Sequence, residues 1–213
     1  MIEIIPAILT ESSLKFKELL LRLEPYIKRV HVDVADGFFV PNKTVTGHDE
    51  IKETESALKF DVHLMVVQPE VHLKEWLYTH ADRFSIHLES EGNLSILIDE
   101  LHKNKRKVGL VLNPETSPDK LEPFLDKIDL VQFMTVHPGF QGGKFVKEVV
   151  DKIASFHKEN PDIMIMADGG ITPETAPDLI KAGASALVSG SYVIKSHDFQ
   201  KAIEELKNSC TIL

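Results

Sequence analysis

The sequence predicts a (β/α)8 barrel, formed as a single domain over residues 1–213. Eight short apolar runs recur along the chain, and segments with helical periodicity separate them. Several runs are nearly continuous in Val, Ile, Leu and Met, as is typical of parallel strands covered on both faces. Eight strand-then-helix units in a chain of this length favour a compact closed barrel. An open doubly wound sheet is the alternative that the same alternation allows.

The apolar runs define the strands. The predicted strands are Glu3–Leu9, Arg29–Val34, Lys59–Met65, Arg83–Leu88, Lys107–Leu112, Leu130–Val136, Ile163–Ala167 and Ala186–Ser189. Two helical stripes lie between them, one of Phe16, Leu19, Leu20 and Leu23 and one of Val146, Val149, Val150 and Ile153. Pro69 and Pro173 are predicted to occupy first helical positions, where the missing N–H of proline costs nothing.

Composition and charge argue against several functions. The net charge of −9 argues against a nucleic-acid partner, because such proteins need a basic surface to displace counterions from phosphates. No run approaches the roughly 18 apolar residues of a membrane span, so we expect no membrane partner. The single cysteine, Cys210, rules out an intramolecular disulfide and fits a reducing compartment, so we expect a cytoplasmic protein.

Two histidines and two aspartates lie where strands are predicted to end. His31 and Asp33 are two residues apart on one strand, so their side chains point to the same side. His63 ends the third strand and Asp168 the seventh, and the strand ends of a closed barrel meet at one mouth. Each residue alone has an ordinary structural explanation, but their joint placement favours a metal site. Two nitrogen and two oxygen ligands suit Zn²⁺, Fe²⁺, Mn²⁺ or Co²⁺ better than Ca²⁺ or Mg²⁺.

Three glycine-containing turns follow the last strands and are predicted to bind a phosphate. The turns are Gln141-Gly142-Gly143, Gly169-Gly170 and Gly190-Ser191. The first two are expected to lead into helices beginning near Lys144 and Thr172. Glycine lets backbone N–H groups approach an anion, and a helix amino terminus adds a favourable dipole. The loop Ala35–His48 is predicted to form a lid or wall of the same site, because loops after strands form the catalytic face of such barrels.

Five longer stretches match one known family in the same order along the chain. They are His31-Val-Asp-Val-Ala-Asp-Gly-Phe-Phe-Val-Pro-Asn42, Asp61-Val-His-Leu-Met-Val66, Phe84-Ser-Ile-His-Leu-Glu89, Met134-Thr-Val-His-Pro-Gly-Phe140 and Asp168-Gly-Gly170. In these stretches, and over essentially the whole chain, the sequence resembles the ribulose-phosphate 3-epimerases.

The resemblance implies a (β/α)8 barrel in which His31, Asp33, His63 and Asp168 bind one divalent metal ion. It implies an epimerase that interconverts D-ribulose 5-phosphate and D-xylulose 5-phosphate through an enediolate. Asp33 would deprotonate the ribulose epimer at C3 and Asp168 the xylulose epimer. Met65 matches a methionine that lines the family's site. A homo-oligomer and a place in the pentose phosphate pathway are implied by the resemblance alone.

Met134 matches a second such methionine, and His137 is expected to line the pocket beside it. Other positions depart from the family's pattern. Ala7 and Ala35 replace a usual Ser and Met, Phe38 replaces a common His, and His137 stands where Asn or Glu is more frequent. The two alanines predict a roomier pocket, so the alternative substrate is a ketohexose phosphate such as D-allulose 6-phosphate.

Two further functions compete with an epimerase. A catalytically weak sugar-phosphate-binding protein would keep the metal and phosphate sites without efficient turnover. The phosphate-binding decarboxylases share a similar barrel and carry an Asp-x-Lys-x-x-Asp signature in the second strand. Here Ala35 stands at the lysine position of that signature, which argues against a decarboxylase.

Overall fold

Eight parallel strands close into one barrel, in which each strand pairs with its neighbours in sequence and the first pairs with the last. The computed structural model describes residues 2–140 and 142–211. The strands are β1 (Glu3–Ile8), β2 (Arg29–Ala35), β3 (Lys59–Met65), β4 (Arg83–His87), β5 (Lys107–Leu112), β6 (Leu130–Met134), β7 (Met164–Asp168) and β8 (Ala186–Ser189). The predicted closed barrel is confirmed, and the open sheet is wrong.

Helices surround the barrel and cover the outward faces of the strands. They are α1 (Ser13–Leu23), α2 (His48–Lys52), α3 (Pro69–Trp76), α4 (Leu94–Lys103), α5 (Glu148–Glu159), α6 (Ala176–Lys181), α7 (Ser191–Ile194) and α8 (Phe199–Ser209). A 3₁₀ helix, Pro118–Lys127, follows β5 in place of an α-helix and contains Pro123, which has no N–H for an α-helical bond. Of the helices in residues 2–140 and 142–211, none is both long enough and apolar enough to cross a membrane.

The first helix shows how the local sequence sets an element. The side chain of Ser12 accepts a hydrogen bond from the backbone N–H of Lys15 and so caps the amino terminus of α1. The predicted stripe is buried against the barrel through Phe16, Leu19, Leu20 and Leu23. Pro69 begins α3 as predicted.

Two helix starts lie later than the sequence predicts. Backbone N–H of Val146 bonds to the carbonyl of Thr135 at 2.8 Å, which holds the chain after the first glycine turn against the end of β6 and delays α5 until Glu148. After the second glycine turn, the Thr175 hydroxyl donates to the carbonyl of Gly170 and forms a separate turn. Pro173 lies in that turn, outside α6, so its predicted helical position is wrong.

The barrel interior is apolar on one side and charged on the other. The apolar side comes from β1 and β6 to β8, through Ile5, Ala7, Leu130, Met166, Ala186 and Val188. On the charged side, the buried Asp61 of β3 accepts hydrogen bonds from Arg83 and, at 2.7 Å, from Arg29. Burial favours a neutral carboxyl, but the neighbouring His31 and Arg83 hold the pKa of Asp61 below its usual range. The aspartate is therefore ionised between two buried guanidinium groups.

Replacing Asp61 with asparagine should destabilise the fold. The substitution removes the buried carboxylate that pairs with Arg83 and leaves only the partly exposed Glu3 carboxylate, 3.5 Å from Nη2; breaking a buried ion pair in this way costs about 3–5 kcal/mol. Urea unfolding of Asp61→Asn measures the loss. The control, Glu53→Gln, removes a charge from an exposed pair with Lys17 and should leave the free energy of unfolding nearly unchanged. Equal effects of the two substitutions would contradict this role for Asp61.

Candidate metal centre and active site

Three strands deliver four candidate ligands to one point at the carboxyl end of the barrel. His31 and Asp33 lie on β2, and His63 pairs in register with Asp33 from β3. Asp168 is the last residue of β7. One ligand atom from each of the four lies within 4.8 Å of all the others, and all four residues are buried. The structure thus brings together the four residues that the sequence predicts as ligands.

The distances inside this cluster fit a shared cation. His63 Nδ1 lies 2.9 Å from Asp33 Oδ1 and 3.5 Å from Asp168 Oδ2. His31 Nε2 lies 3.5 Å from Asp33 Oδ1 and 3.6 Å from Asp168 Oδ2. Two atoms that each lie about 2.1 Å from one tetrahedral ion are about 3.4 Å apart. Most of the observed separations match that arrangement.

His31 gives an independent indication of a ligand. Its side chain is completely buried, yet neither ring nitrogen makes a hydrogen bond of normal length within the described residues; the carboxylate oxygens that face it lie 3.5–4.0 Å away. Leaving such a group unpaired is costly, and native structures rarely do so. An imidazole nitrogen that faces two carboxylates at more than hydrogen-bond distance leaves room for an ion between them, and this is the donor set that a first-row divalent ion prefers.

The two aspartates of the cluster titrate very differently. Burial opposes ionisation of Asp33, but the imidazoles of His31 and His63 hold its pKa well below the usual range. The pKa of Asp168 is raised to about 6, mainly by burial and also by the negative charge of Asp33, although the neighbouring histidines lower it. Burial lowers the pKa of His31, but the carboxylates of Asp33 and Asp61 outweigh it and raise that pKa to about 10.

Three buried polar side chains that the sequence did not predict as site residues support the cluster. The Gln132 side-chain amide donates to Asp168 Oδ2 at 2.7 Å. Asp61 Oδ2 lies 4.0 Å from His31 Nδ1, on the side of the ring away from the cluster. His87 Nε2 lies 2.9 Å from His63 Nε2. The available signal was a polar residue inside an apolar strand, as Gln132 is within Leu130–Met134.

A cavity opens directly above the cluster. Its lining includes Ala7, Asp33, His63, Met65, Met134, Val136 and Asp168. The glycine turns contribute Gly142, Gly169, Gly170, Gly190 and Ser191 to the same lining. The cavity therefore joins both carboxylates, both predicted methionines and backbone from all three turns.

The glycine turns depend on backbone that only glycine adopts easily. Gly169 has φ of 105°, and a Cβ there would lie 2.3 Å from Val136 Cγ2. Gly143 does not line the cavity, because its backbone packs on Val136, and Gln141 lies outside the described residues. Lys195 was not predicted, yet its Nζ lies 3.8 Å from where a Cβ of Gly142 would be. It places a positive charge beside the first turn.

The predicted helix dipoles contribute less than expected. α5 begins at Glu148 and α6 at Ala176, so neither starts at its glycine turn. Only α7 starts at a turn, at Ser191, and it is four residues long. The cavity therefore offers an anion the backbone N–H groups of the turns and little helix dipole.

Two further parts of the chain that were expected at the site are not among the residues that line this cavity. His137 does not line the cavity; its side chain is exposed, and Nε2 lies 2.6 Å from Glu115 Oε1, which draws the ring outward. The loop Ala35–His48 contributes no lining residue either. Ala35 packs on Val40 and Met65, and Phe38 is 86% exposed.

The fold and the site define a parallel (β/α)8 barrel with a candidate two-histidine, two-aspartate metal centre below a glycine-lined cavity. The model of the ribulose-phosphate 3 epimerase family matches residues 3–194, and the chain belongs to that family. Ribulose-phosphate 3-epimerase of Bacillus subtilis is 40% identical over 186 residues, which cover 84% of this chain and 86% of the relative. The ribulose-phosphate 3-epimerase of Synechocystis is 38% identical over 189 residues, which cover 84% of this chain and 81% of the relative.

Solved structures of more distant proteins share the fold. A 3-hexulose-6-phosphate synthase superposes with a TM-score of 0.72 at 14% identity, covering 97% of this chain and 99% of the other. An orotidine 5'-monophosphate decarboxylase from Sulfolobus solfataricus gives 0.71 at 15% identity, covering 99% and 98%. At such low identity these similarities establish the barrel alone.

Metal binding should release protons and strengthen as the pH rises. A pKa of about 10 keeps His31 protonated at neutral pH without a cation, so an ion must displace that proton to reach the nitrogen. We expect about one proton released per ion near pH 7.5, and an affinity for Zn²⁺ that rises about tenfold per pH unit between pH 7 and 9. Below about pH 6, Asp168 adds a second proton and steepens the dependence.

Titration calorimetry in buffers with different ionisation enthalpies measures the number of protons released. An affinity that does not change between pH 7 and 9 would show that His31 gives up no proton to the ion.

Proposed function

We propose that the protein is a metal-dependent epimerase that interconverts D-ribulose 5-phosphate and D-xylulose 5-phosphate at C3. The observation that carries this proposal is the convergence of two carboxylates, Asp33 from β2 and Asp168 from β7, on one cavity. Inversion at a carbon next to a carbonyl requires a base on one face and an acid on the other. Membership of the ribulose-phosphate 3 epimerase family supports the same reaction.

The four residues His31, Asp33, His63 and Asp168 would hold the metal ion. A divalent ion there supplies positive charge that stabilises the negative charge developing on the substrate oxygens next to C3. The nitrogen and oxygen donor set fits Zn²⁺, Fe²⁺, Mn²⁺ or Co²⁺.

The acid and base roles follow from the different environments of the two aspartates. Asp33 is ionised in the chain without a cation and so is ready to accept the C3 proton of the ribulose epimer. Asp168, with a pKa of about 6, exchanges a proton near neutral pH and returns one to the opposite face. Gln132 donates to Asp168 Oδ2 and so orients this carboxyl, which leaves Oδ1 to carry the proton. In the reverse direction the two aspartates exchange roles.

The rest of the cavity positions the phosphorylated ketose and excludes water. We assign the phosphate to the turns that contain Gly142, Gly169 and Gly190, whose backbone reaches the cavity. The Lys195 ammonium beside Gly142 adds attraction for a dianion in an otherwise acidic protein. Met65 and Met134 give the cavity uncharged walls next to the aspartates.

A pentulose phosphate is the substrate that the cavity favours. The case for a ketohexose phosphate rests on extra room at Ala7 and Ala35, and only Ala7 lines the cavity. Assembly into a homo-oligomer and a cytoplasmic location stay predictions.

The proposal is tested by proton NMR of each sugar phosphate in D₂O with the metal-loaded protein. We expect D-ribulose 5-phosphate to lose its C3 proton signal and D-xylulose 5-phosphate to appear, faster than any change of D-allulose 6-phosphate. Asp168→Asn should reduce epimerisation at least about 10³-fold, because an amide cannot relay the proton. It should retain slow C3 exchange of the ribulose epimer through Asp33.

The matched control is Asp162→Asn, at the exposed turn before the other end of β7, which should epimerise as the unsubstituted protein does. Sugar-phosphate binding without C3 exchange by the unsubstituted protein would instead support a weak binder. Full activity of Asp168→Asn would rule out the proposed role of that residue.

A further inference from the structure

The stretch Phe84-Ser-Ile-His-Leu-Glu89 has no part in the reaction proposed above, yet it reaches the metal centre. His87 is the last residue of β4 and is completely buried, and its Nε2 lies 2.9 Å from Nε2 of His63. Its other nitrogen, Nδ1, lies 3.2 Å from Glu89 Oε2. We propose that His87 and Glu89 are positioning residues that fix the tautomer of His63, so that its Nδ1 lone pair faces the metal centre. The inference rests on the proposed metal centre.

The direction of this hydrogen-bond chain is set at Glu89. Glu89 Oε1 accepts from the backbone N–H of Asn113 at 3.0 Å and from the hydroxyl of Thr116. A carboxylate that is anchored by donors can only accept, so the nearby Nδ1 of His87 must carry a hydrogen and donate it. The loop after β5 thereby fixes the tautomer of a histidine on β4.

The same constraint passes from His87 to His63. A neutral imidazole with its hydrogen on Nδ1 has a lone pair on Nε2, and that lone pair needs a donor. The ring centres of His63 and His87 lie 5.0 Å apart with planes at 25°, while the two Nε2 atoms lie 2.9 Å apart. The rings therefore meet edge to edge, which aligns an N–H of His63 with the lone pair of His87.

The last step of this hydrogen-bond series determines which form of Nδ1 His63 presents to the cluster. When an ion is bound, a hydrogen on Nε2 leaves His63 a lone pair on Nδ1 for that ion; without an ion, Nδ1 is within hydrogen-bond distance of Asp33 Oδ1, at 2.9 Å, and lies 3.5 Å from Asp168 Oδ2. A lone pair directed at two carboxylates is complementary to a cation; among the described residues the neutral donor near it is the Gln132 amide, whose Nε2 lies 3.4 Å from Nδ1. Hydrogen bonds to the outer nitrogen of a metal-binding histidine typically fix its tautomer and raise its basicity.

The most informative variant is Glu89→Gln, which keeps the shape of the side chain and reverses the direction of the hydrogen bonds that run from residue 89 to His63. The amide oxygen must face the fixed N–H of Asn113, so the NH₂ group faces His87 and makes its Nδ1 the acceptor. His87 then donates from Nε2, and the hydrogen of His63 moves to Nδ1, where it blocks the metal. We expect the affinity for Zn²⁺, measured by chelator competition without any sugar, to fall about 10- to 100-fold.

The control is Glu91→Gln, the same chemical change at an exposed position two residues along. It should bind Zn²⁺ with the affinity of the unsubstituted protein. His87→Gln keeps an acceptor for His63 in its amide oxygen and should lose less affinity than His87→Leu, which removes it. Unfolding midpoints of all variants separate loss of the fold from loss of the metal.

A direct readout is the long-range ¹H–¹⁵N NMR spectrum of the Zn²⁺-loaded protein with labelled histidine. We expect a hydrogen on Nε2 of His63 and on Nδ1 of His87. A hydrogen on Nε2 of His87, or unchanged Zn²⁺ affinity in Glu89→Gln, would overturn the proposal. Because neither measurement uses substrate, failure of the epimerase proposal leaves this test intact.

Discussion

Two carboxylates that must share one buried site are the constraint on which the rest of this structure depends. Burial alone would neutralise both Asp33 and Asp168, and their mutual repulsion would prevent both from ionising together. The cluster resolves this with two imidazoles that hold Asp33 ionised, while Asp168 titrates near pH 6. The crowded arrangement of these four side chains reduces stability, but it also keeps Asp33 ionised, as a base must be, and lets Asp168 bind and release a proton near neutral pH.

The rest of the barrel interior offsets the electrostatic cost of burying these two carboxylates. Beneath the cluster, Asp61 lies between His31 and the guanidinium groups of Arg29 and Arg83, so charges of alternating sign continue toward the amino ends of the strands. The opposite side of the interior is mostly apolar below the cluster, through Ile5, Leu130, Met166 and Val188. The buried charges of the interior are thus concentrated on β2 to β4, while Asp168 reaches the cluster from β7 with Gln132 of β6 bonded to it.

The sequence predicted the parts of the molecule that depend on local pattern. Strand bounds agree to within two residues, because burial on both faces produces continuous apolar runs that need no tertiary information. The four clustered residues were predicted because strand ends in a closed barrel must converge. Long-range contacts account for the differences: His137 lies beside Glu115 outside the cavity lining, and the carbonyl of Thr135 holds Val146 out of a helix. The supporting roles of Gln132 and His87 depend on which side chains face each other across strands, and no single strand shows that.

The most direct test of the metal centre is a crystal structure of the active protein loaded with Co²⁺, with diffraction data collected at the cobalt absorption edge. One anomalous peak should lie within bonding distance of His31 Nε2, His63 Nδ1 and a carboxylate oxygen each of Asp33 and Asp168. A peak bound elsewhere, or none in crystals of protein that epimerises its substrate, would contradict the assignment of these four residues as one metal centre.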